Sequence, residues 1–451
     1  MLTIFAFFLA SLSPVLSVAA KGGVGRLPAL GFNSWNAFHC DIDESKFLTA
    51  AQKIVDLGLK DAGYEYVNID DCWSMKDQRD PKTHAMLPNM TKFPDGIDGL
   101  AKKIHDMGLK IGIYSSAGTK TCEQYPASIN YEDVDAKSFS DWGIDYLKYD
   151  NCFVPDNMKD DCQFCMTPNT TCQDTAQDKY CPAGYDYSKS KTAQRYNAMR
   201  DALNKQTRPI LYSLCEWGTA GVHFWGNTTA QSWRTTGDIS PNFTAILTIA
   251  NLNTFTLDSV DFGGHSDPDM LEIGNAPLTN VQERTHFALW AVMKSPLLIG
   301  TDLDKIKPSS VAILKNKNLL AFNQDDVYGK PAFPFKWGSA PDWTYVPNKP
   351  AEYWAGQYKE GIMILLFNNH DTAKDYTFAF REVPGVKLGQ KYHVVDGWTD
   401  NDLGCFTATG SVVIPKIAAS DTVVLILKDG ASCLKKLKVR GARERNVIIP
   451  L

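Results

Sequence analysis

The sequence lacks three features that define other classes of protein. After residue 20 it has no apolar run long enough to span a bilayer, so we expect no stable membrane insertion. Its 46 Lys and Arg do not outnumber its 51 Asp and Glu, and the net charge of -5 argues against nucleic-acid binding. No glycine-rich phosphate loop follows the first predicted strand, which disfavours a dinucleotide-binding sheet.

The composition is that of a globular protein. Hydrophobic residues make up 44% and charged residues 22% of the 451 positions, which excludes a disordered or fibrous chain. A chain of this length forms two or three domains, or one large barrel with an accessory domain. The 11 Trp fit a protein that stacks aromatic rings on sugars or bases.

Residues 1–20 are predicted to be a signal peptide, because serines and Pro14 interrupt their apolar run and small residues end it. The alternative is a membrane anchor, which the polar interruptions disfavour. Residues 21–26 form a candidate pro-segment. Four Asn-x-Ser/Thr sequons agree with a secreted, extracellular glycoprotein, and they predict glycosylation at Asn89, Asn169, Asn227 and Asn242.

The chain contains 11 cysteines, most of which should pair in an oxidising compartment, and the odd count leaves at least one thiol. Four of them cluster in a polar segment: Cys162, Cys165, Cys172 and Cys181. They could form a zinc site, but the cluster has no His. Secretion therefore favours two disulfides that hold an insertion together.

From residue 27 to about 328 the chain repeats an amphipathic helix, a glycine and a short apolar strand with a polar end. The clearest strands are YEYVNIDDC, LKIGIYSS and IDYLKYD, and five more are predicted in PALGFNSW, RPILYSLCEW, QSWRTTGD, TFTLDSVDFGG and MKSPLLIG. Eight such units predict an α/β fold, a (β/α)8 TIM barrel with its catalytic groups at the strand ends. A doubly wound open sheet is the alternative.

Residues 329–430 have a different pattern. The helical period fades, and alternating segments such as GIMILLFNN and DTVVLILKD are separated by Gly, Pro, Asn and Asp. This pattern predicts an antiparallel β domain. The final stretch, residues 431–451, is basic, and we expect a solvated tail, with attraction to a membrane surface or cell wall as the alternative.

The segment YLKYDNC places Tyr146, Lys148 and Asp150 at alternate positions of a short buried strand. Strand periodicity sends these side chains to one side, so the Lys148 ammonium should lie near Asp150 and favour its ionised form. Asp150 is therefore a candidate nucleophile. The alternative is a carboxylate that caps the following turn.

The predicted strand ends together carry many carboxylates, several aromatic rings and two cations. This set suits a neutral ring rich in hydroxyls, because carboxylates accept hydroxyl hydrogens and an aromatic face covers the C–H side. Calcium or magnesium ligands at Asp70–Asp71 and at Asp267 with Asp269 are a minor alternative. The residues at the strand ends are Trp35, Asp70, Asp71, Tyr114, Lys148, Asp150, Cys152, Glu216, Trp217, Arg234, Asp238 and Asp269.

Hydrolysis of a glycosidic bond needs one ionised and one protonated carboxyl group. Asp150 fits the ionised role. Asp238 follows SWRTTG at another strand end, where neighbouring carboxylates should raise its pKa, and this suits a general acid/base. A salt bridge to Arg234 is the alternative role for Asp238.

Nine motifs follow one another in the order GFNSWNAF, GYEYVNIDDCW, KFPDGI, LKIGIYSSAG, DYLKYDNC, SLCEW, SWRTTGDI, DPDMLEIGN and SPLLIGTDL. In this order they closely resemble the α-galactosidase family of retaining glycoside hydrolases (family 27), particularly its fungal secreted members. The resemblance covers residues 28–330 densely and the β domain loosely. It implies a two-step displacement on terminal α-linked galactose, without cofactor or metal, in a (β/α)8 barrel followed by an antiparallel β-sandwich.

The resemblance also implies a role for each matching residue. Asp150 would be the nucleophile and Asp238 the acid/base. Asp70 and Asp71 would hold the 4- and 6-hydroxyls, and Trp35 would stack on the sugar. The other implied substrate-binding residues are Tyr114, Cys122, Lys148, Cys152, Glu216, Trp217, Arg234 and Asp269, of which Lys148, Arg234 and Asp269 would lie near the 2- and 3-hydroxyls.

The family's disulfides map onto Cys40–Cys72 and Cys122–Cys152, the second lying against the sugar pocket. Cys215 has no evident partner and is the candidate unpaired thiol.

The expected substrates are galacto-oligosaccharides and galactomannans. Related α-N-acetylgalactosaminidases carry small residues where this chain has Glu216, and the intact Asp70–Asp71 pair favours a sugar with a 6-hydroxyl over the family's β-L-arabinopyranosides. The need for a protonated Asp238 beside an ionised Asp150 favours an acidic optimum. Transglycosylation, a homo-oligomer and a non-catalytic sugar-binding protein stay open as alternatives.

Overall fold

A computed structural model describes residues 23–168, 172–175, 178–430, 433 and 446–449. The predicted signal peptide and the sequon at Asn169 lie outside these residues. The strands are β1 (Leu30–Asn33), β2 (Tyr66–Asn68), β3 (Ser74–Arg79), β4 (Met86–Pro88), β5 (Lys110–Ser116), β6 (Tyr146–Asp150), β7 (Leu211–Cys215), β8 (Ser232–Arg234), β9 (His265–Asp267), β10 (Leu297–Ile299), β11 (Phe333–Lys336), β12 (Tyr353–Tyr358), β13 (Gly361–Phe367), β14 (Lys374–Ala379), β15 (Lys391–Asp396), β16 (Asp402–Thr407), β17 (Ser411–Ile417), β18 (Thr422–Asp429) and β19 (Asn446–Ile448). The α-helices are α1 (Trp35–Phe38), α2 (Glu44–Asp56), α3 (Gly96–Asp106), α4 (Glu132–Asp141), α5 (Lys191–Asn204), α6 (Phe243–Thr254), α7 (Asn280–Val292), α8 (Pro308–Leu314) and α9 (Lys317–Asn323).

Eight parallel strands form one sheet in the order β10-β1-β2-β5-β6-β7-β8-β9. A parallel bridge between Leu271, just after β9, and Ile299 in β10 joins the two ends of the sheet. The sheet therefore closes into the predicted (β/α)8 barrel, and the open-sheet alternative is wrong. One unit departs from the pattern, because two 3₁₀ helices, Thr219–Phe224 and Gly226–Thr228, connect β7 to β8 in place of an α-helix.

The seventh barrel strand is not where the sequence pattern predicted it. The predicted strand TFTLDSVDFGG contains the end of α6 and a 3₁₀ helix at Leu257–Ser259, and β9 begins only at His265. Two hydroxyls explain the difference. Thr256 Oγ1 donates to Asn253 O and Ser259 Oγ donates to Thr256 O, at 2.9 and 2.6 Å, so local side-chain bonds stabilise helical turns in a segment with high strand propensity.

Side chains alternate between the inside and the outside of the barrel. On β6, Tyr146 packs inside with residues of other strands, whereas Leu147 and Tyr149 pack in the outer layer beneath the helices. Lys148 and Asp150 therefore share the inner side at the carboxyl end of β6, as the period of two predicted.

The C-terminal domain has two sheets, with strand orders β11-β12-β13-β18-β15-β16 and β14-β17-β19. Both faces of the larger sheet are buried. Ile364 and Leu425 face the smaller sheet, while Leu365 and Val424 belong to the core shared with the barrel. Two-sided burial explains why these strands are almost continuously hydrophobic, and the predicted β-sandwich is confirmed.

The prediction of a wholly solvated tail is wrong. Residues 446–448 form β19, which pairs in parallel with β17, and Ile449 is buried in the sandwich core. Cys433 forms a disulfide with Cys405. Residues 434–445 lie outside the described part of the chain. The tail thus supplies the third strand of the smaller sheet.

Four further disulfides are Cys40–Cys72, Cys122–Cys152, Cys162–Cys181 and Cys165–Cys172. The first two are the pairs that the resemblance implied, and the last two replace the zinc-site alternative. Cys215 is buried and is the one cysteine outside a disulfide in the described ranges. No described helix is both long and apolar enough to cross a bilayer.

Candidate active site

A cavity of about 430 Å³ lies at the carboxyl end of the barrel strands. It brings together all of the predicted site residues except Cys152, Glu216 and Trp217. The lining residues are Trp35, Asn36, His39, Asp70, Asp71, Tyr114, Cys122, Lys148, Asp150, Arg234, Asp238, Ile239, Ser240, Pro241, Asp269, Met270, Glu272, Asn275 and Ala276.

Asp150 ends β6 and is only 6% exposed. The Tyr114 hydroxyl donates to its Oδ2 at 2.9 Å, and the Asn151 backbone N–H donates to its Oδ1 at 2.8 Å. Burial raises the pKa of Asp150 to about 6, although the Lys148 ammonium acts in the opposite direction. Lys148 thus favours the ionised form of Asp150, as expected, but burial outweighs this nearby charge and the net pKa is raised.

Lys148 makes its ion pair with Asp70 and not with Asp150. Its Nζ lies 2.8 Å from Asp70 Oδ2, and the other Asp70 oxygen accepts the Asp71 backbone N–H at 2.9 Å. Burial acts to lower the pKa of Lys148, but Asp70 and further carboxylates raise it well above its usual value. Lys148 is therefore a fixed cation at the floor of the cavity.

Two backbone donors hold the Asp71 carboxylate. Cys72 N donates to Oδ1 at 2.7 Å, and Glu123 N donates to Oδ2 at 2.9 Å. Both donors lie at disulfides, since Cys72 pairs with Cys40 and Glu123 follows Cys122. Burial nevertheless raises the pKa of Asp71 to about 6.

Arg234, at the end of β8, bridges two carboxylates with its Nη2. The distances are 2.9 Å to Asp238 Oδ1 and 3.0 Å to Asp269 Oδ2. The Asp238 side chain is 69% exposed to the cavity. Partial burial acts to raise the pKa of Asp238. Arg234 and Lys148 lower it by more, so the net pKa is below its usual value. The expected raised pKa is thus wrong, because Arg234 and Lys148 outweigh the effect of burial, and the alternative salt bridge is present.

Asp269 follows β9 in a left-handed conformation with φ of 78°. Its Oδ1 accepts Met270 N and its Oδ2 accepts Ile239 N, each at 2.8 Å. Asp267 does not line the cavity, accepts Asp269 N at 2.9 Å, and has a pKa raised to about 6 by burial. Since the Arg234 guanidinium stands where a divalent cation would contact Asp269, the minor metal alternative is disfavoured here.

Three predicted site residues do not line this cavity. Glu216 is fully buried, its Oε1 accepts Gly218 N at 3.3 Å, and its Oε2 has no partner in the described structure. Burial raises the pKa of Glu216 to about 8. Trp217 and Cys152 line a neighbouring cavity of about 940 Å³.

Sequence reasoning missed Glu272 and the two amides that bind it. Asn36 Nδ2 and Asn275 Nδ2 donate to opposite oxygens of Glu272, and burial raises its pKa to about 7. The Glu272 backbone N–H donates to His286 Nε2 at 3.0 Å. Asn36, Glu272 and Asn275 all line the cavity. They lie within the motifs GFNSWNAF and DPDMLEIGN, and this position could have identified them from the sequence.

Cys122, Asp150 and Cys152 place ligand atoms within 4.8 Å of one another. The two sulfurs are bonded to each other, so neither is the thiolate that a soft metal would need.

A barrel whose strand ends hold two carboxylates in different surroundings, with further polar groups and Trp35 in the same cavity, defines a glycoside hydrolase. A family model described as "Alpha galactosidase A" matches residues 27–179 and 166–325, and one described as "Alpha galactosidase C-terminal beta sandwich domain" matches residues 348–427. The chain belongs to the α-galactosidase family.

Similar proteins agree over nearly the whole length. The Aspergillus oryzae protein named "Probable alpha-galactosidase B" is 55% identical over 439 residues, which cover 94% of this chain and 98% of that protein. The crystal structure of alpha-galactosidase I from Mortierella vinacea has a TM-score of 0.76 at 34% identity, covering 91% and 99% of the two chains. The α-galactosidase of Saccharomyces cerevisiae with raffinose has a TM-score of 0.76 at 28% identity, covering 90% and 98%.

Proposed function

We propose that the protein hydrolyses terminal, non-reducing α-D-galactosyl residues of galacto-oligosaccharides, galactomannans and related glycosides, with retention of anomeric configuration. The observation that carries the proposal is that Asp150 and Asp238, from two separate strand ends, line one cavity. The similar yeast α-galactosidase, whose structure contains raffinose, supports the class of substrate.

In the proposed first step, an Asp150 oxygen attacks the anomeric carbon and the glycosidic oxygen leaves with the proton of Asp238. In the second step, Asp238 takes a proton from water, whose oxygen displaces Asp150 from the same carbon and releases α-galactose. Tyr114 and the Asn151 N–H keep the attacking carboxylate in place, since both donate to it.

The cavity without sugar favours the proton on Asp150 over Asp238, because burial raises one pKa and Arg234 lowers the other. Catalysis needs the opposite arrangement. A bound sugar would cover the exposed side of Asp238 and remove water from it, which raises a carboxyl pKa. Substrate binding would therefore move the pair towards its reactive state.

The contacts support the proposed sugar-binding roles. Backbone N–H groups and Lys148 hold Asp70 and Asp71, which leaves them as oriented acceptors for the 4- and 6-hydroxyls. Arg234 and Asp269 form the opposite wall. Trp35 supplies an aromatic surface that fits the C–H face of galactose.

The proposed function includes a preference against α-N-acetylgalactosaminides. This preference is carried over from the sequence expectation for Glu216, although Glu216 lies behind the cavity wall and does not line the cavity itself. Rates on the two matched aryl glycosides measure this preference. We expect at least a hundredfold lower kcat/KM on the N-acetyl substrate, which corresponds to about 2.7 kcal/mol. Comparable rates would reject the assignment.

We also infer that the protein is secreted and that its sequons are glycosylated. Five disulfides among the described residues support an oxidising compartment. Mass analysis of the protein before and after deglycosylation tests the modification.

The deciding experiment is a proton NMR time course with an aryl α-galactoside, recorded before mutarotation is complete. α-Galactose appearing first supports retention, with Asp150 and Asp238 as nucleophile and acid/base. β-Galactose appearing first would show inversion and overturn these roles. Galactose binding without turnover would favour the non-catalytic sugar-binding alternative.

A further inference from the structure

The cavity of about 940 Å³ lies beside the one that contains Asp150, and the Cys122–Cys152 disulfide contributes a residue to each. Cys122 lines the smaller cavity and Cys152 the larger one, with their Cα atoms 5.1 Å apart. Asn151, the residue directly after Asp150, also lines the larger cavity. A ligand in the larger cavity would therefore lie next to a sugar at Asp150.

The connection between β6 and α5 builds one wall of this cavity, and the Cys162–Cys181 and Cys165–Cys172 disulfides hold that connection together. Its aromatic lining comes from Phe153, Phe164 and Trp217. Phe153 is 49% exposed and lies three residues after Asp150 in the chain. An exposed ring of this kind offers a stacking surface for the C–H face of a sugar.

The polar lining is anchored from below by Arg195, which is 3% exposed. Its Nη1 donates to Asn151 Oδ1 at 2.9 Å and its Nη2 to Thr192 Oγ1 at 3.0 Å, while its Nε has no partner in the described structure. Asp160 accepts the Thr192 hydroxyl at 2.6 Å. The buried Arg195 therefore holds the Asn151 amide and the Thr192 hydroxyl in fixed orientations at the cavity wall, as in a preorganised polar binding surface.

The charges of this lining balance. Asp156 pairs with Lys159 at 2.7 Å, and the remaining charged side chains are Asp160 and Arg195. A phosphorylated or strongly acidic ligand would need an excess of cations, which this lining does not have. Amide and hydroxyl groups beside aromatic rings instead suit a neutral ligand rich in hydroxyls.

We propose that the larger cavity binds the neutral glycan main chain that carries the galactosyl branch, while the branch itself occupies the cavity of Asp150. This inference rests on the proposed function, because it assigns the second cavity to another part of the same substrate. It also gives Trp217 and Cys152 a binding surface away from the galactose pocket.

The first test measures mannotetraose binding to the wild-type protein by isothermal titration calorimetry in saturating galactose. Galactose fills the pocket of Asp150, so we expect mannotetraose still to bind. Failure to bind, or displacement of mannotetraose by galactose, would overturn the proposal.

The second test uses Phe153→Ala and Phe153→Leu, which remove the ring with and without loss of apolar bulk. We expect KM for galactomannan to rise about fivefold to tenfold in both, with kcat/KM for an aryl α-galactoside unchanged. Tyr328→Ala is the matched control, because Tyr328 is 42% exposed and does not line the cavity. An equal rise in the control, or none in the Phe153 variants, would contradict the proposal.

The two assays separate this inference from the proposed function. Hydrolysis of the aryl galactoside without mannotetraose binding overturns the second site alone. Mannotetraose binding without hydrolysis leaves a glycan site and overturns the proposed function.

Discussion

The ends of β6 and β8 place two carboxylates in opposite surroundings. Asp150 is 6% exposed and accepts from uncharged groups, whereas the Asp238 side chain is 69% exposed and contacts the Arg234 guanidinium. Burial raises the pKa of the first, and cationic neighbours lower that of the second. At Asp150, burial affects the pKa more than the nearby Lys148 charge does. At Asp238, direct contact with a cation affects the pKa more than partial burial does.

The largest expected effect is that of Asp150→Ala. Removal of the proposed nucleophile should lower kcat on an aryl α-galactoside by at least about 10⁴-fold. Galactose should still bind, because Asp70, Asp71 and Lys148 keep their contacts, and calorimetry measures this. Asp267→Asn is the matched control, since Asp267 is also buried at a strand end but does not line the cavity. A fully active Asp150→Ala variant would refute the mechanism.

Asp238→Asn should have a smaller effect that depends on the leaving group. Loss of the proposed proton donor should slow raffinose hydrolysis by about 10²- to 10³-fold. A 2,4-dinitrophenyl galactoside needs no proton on its leaving group, so its first step should slow far less, as a pre-steady-state burst of phenol would show. Equal slowing of both substrates would remove Asp238 from the role of acid.

The pH dependence of kcat/KM sharpens the comparison. Below the lowered pKa of Asp238 both carboxyls are protonated and Asp150 cannot attack, and above about pH 6 both are ionised and Asp238 cannot donate. We expect an optimum below pH 6 and an alkaline limb with an apparent pKa of about 6.

The Asp238→Asn variant supplies the control for this profile. With the dinitrophenyl substrate only Asp150 must ionise, so kcat/KM should rise through about pH 6 where that of the wild type falls. An unchanged alkaline limb in the variant would show that another group controls it.

The smallest expected effect is on stability. Burial raises the pKa values of Glu216 and Glu272 to about 8 and about 7. The protonated forms of both residues therefore contribute fully to the free energy of unfolding below the unfolded-state pKa of about 4.5. This contribution is lost as the pH rises through the folded-state pKa values of about 7 and about 8. His223, His265 and His286 have lowered pKa values and act in the opposite direction, but only below about pH 6.5.

Wild-type Tm should therefore fall between pH 6.5 and 8. Glu216→Gln should raise Tm by roughly 2 to 5 °C at pH 8 and leave it unchanged at pH 4. Differential scanning calorimetry at both pH values measures this, with Glu272→Gln as the matched comparison. An equal gain at both pH values would indicate a packing effect without titration.

The sequence predicted the parts of the site that depend on local periodicity. Alternation on β6 placed Lys148 and Asp150 on one side, and the order of the motifs brought Arg234 and Asp238 to the same cavity. Adjacency to a strand end was a weaker guide. Trp217 has a left-handed backbone with φ of 59° and lines the neighbouring cavity, and Glu216 is buried beneath the site.

What the sequence did not predict depends on contacts between distant segments. The Asn36–Glu272 contact spans 236 positions, and the Lys148–Asp70 pair spans 78. The pKa values of Asp150 and Asp238 depend on burial and contact distance, which a list of neighbouring charges does not contain. Strand β19 likewise becomes recognisable only beside its partner β17.

The sheet that contains β13 and β18 contributes one of its faces to the core of the barrel. Phe243 of α6 packs against Phe367, and Thr285 of α7 donates to Ser420 O at 2.6 Å. The catalytic domain is consequently not a module that can be excised at residue 328 or exchanged freely between enzymes. Any chimaera would have to carry across the sheet face on which α6 and α7 rest.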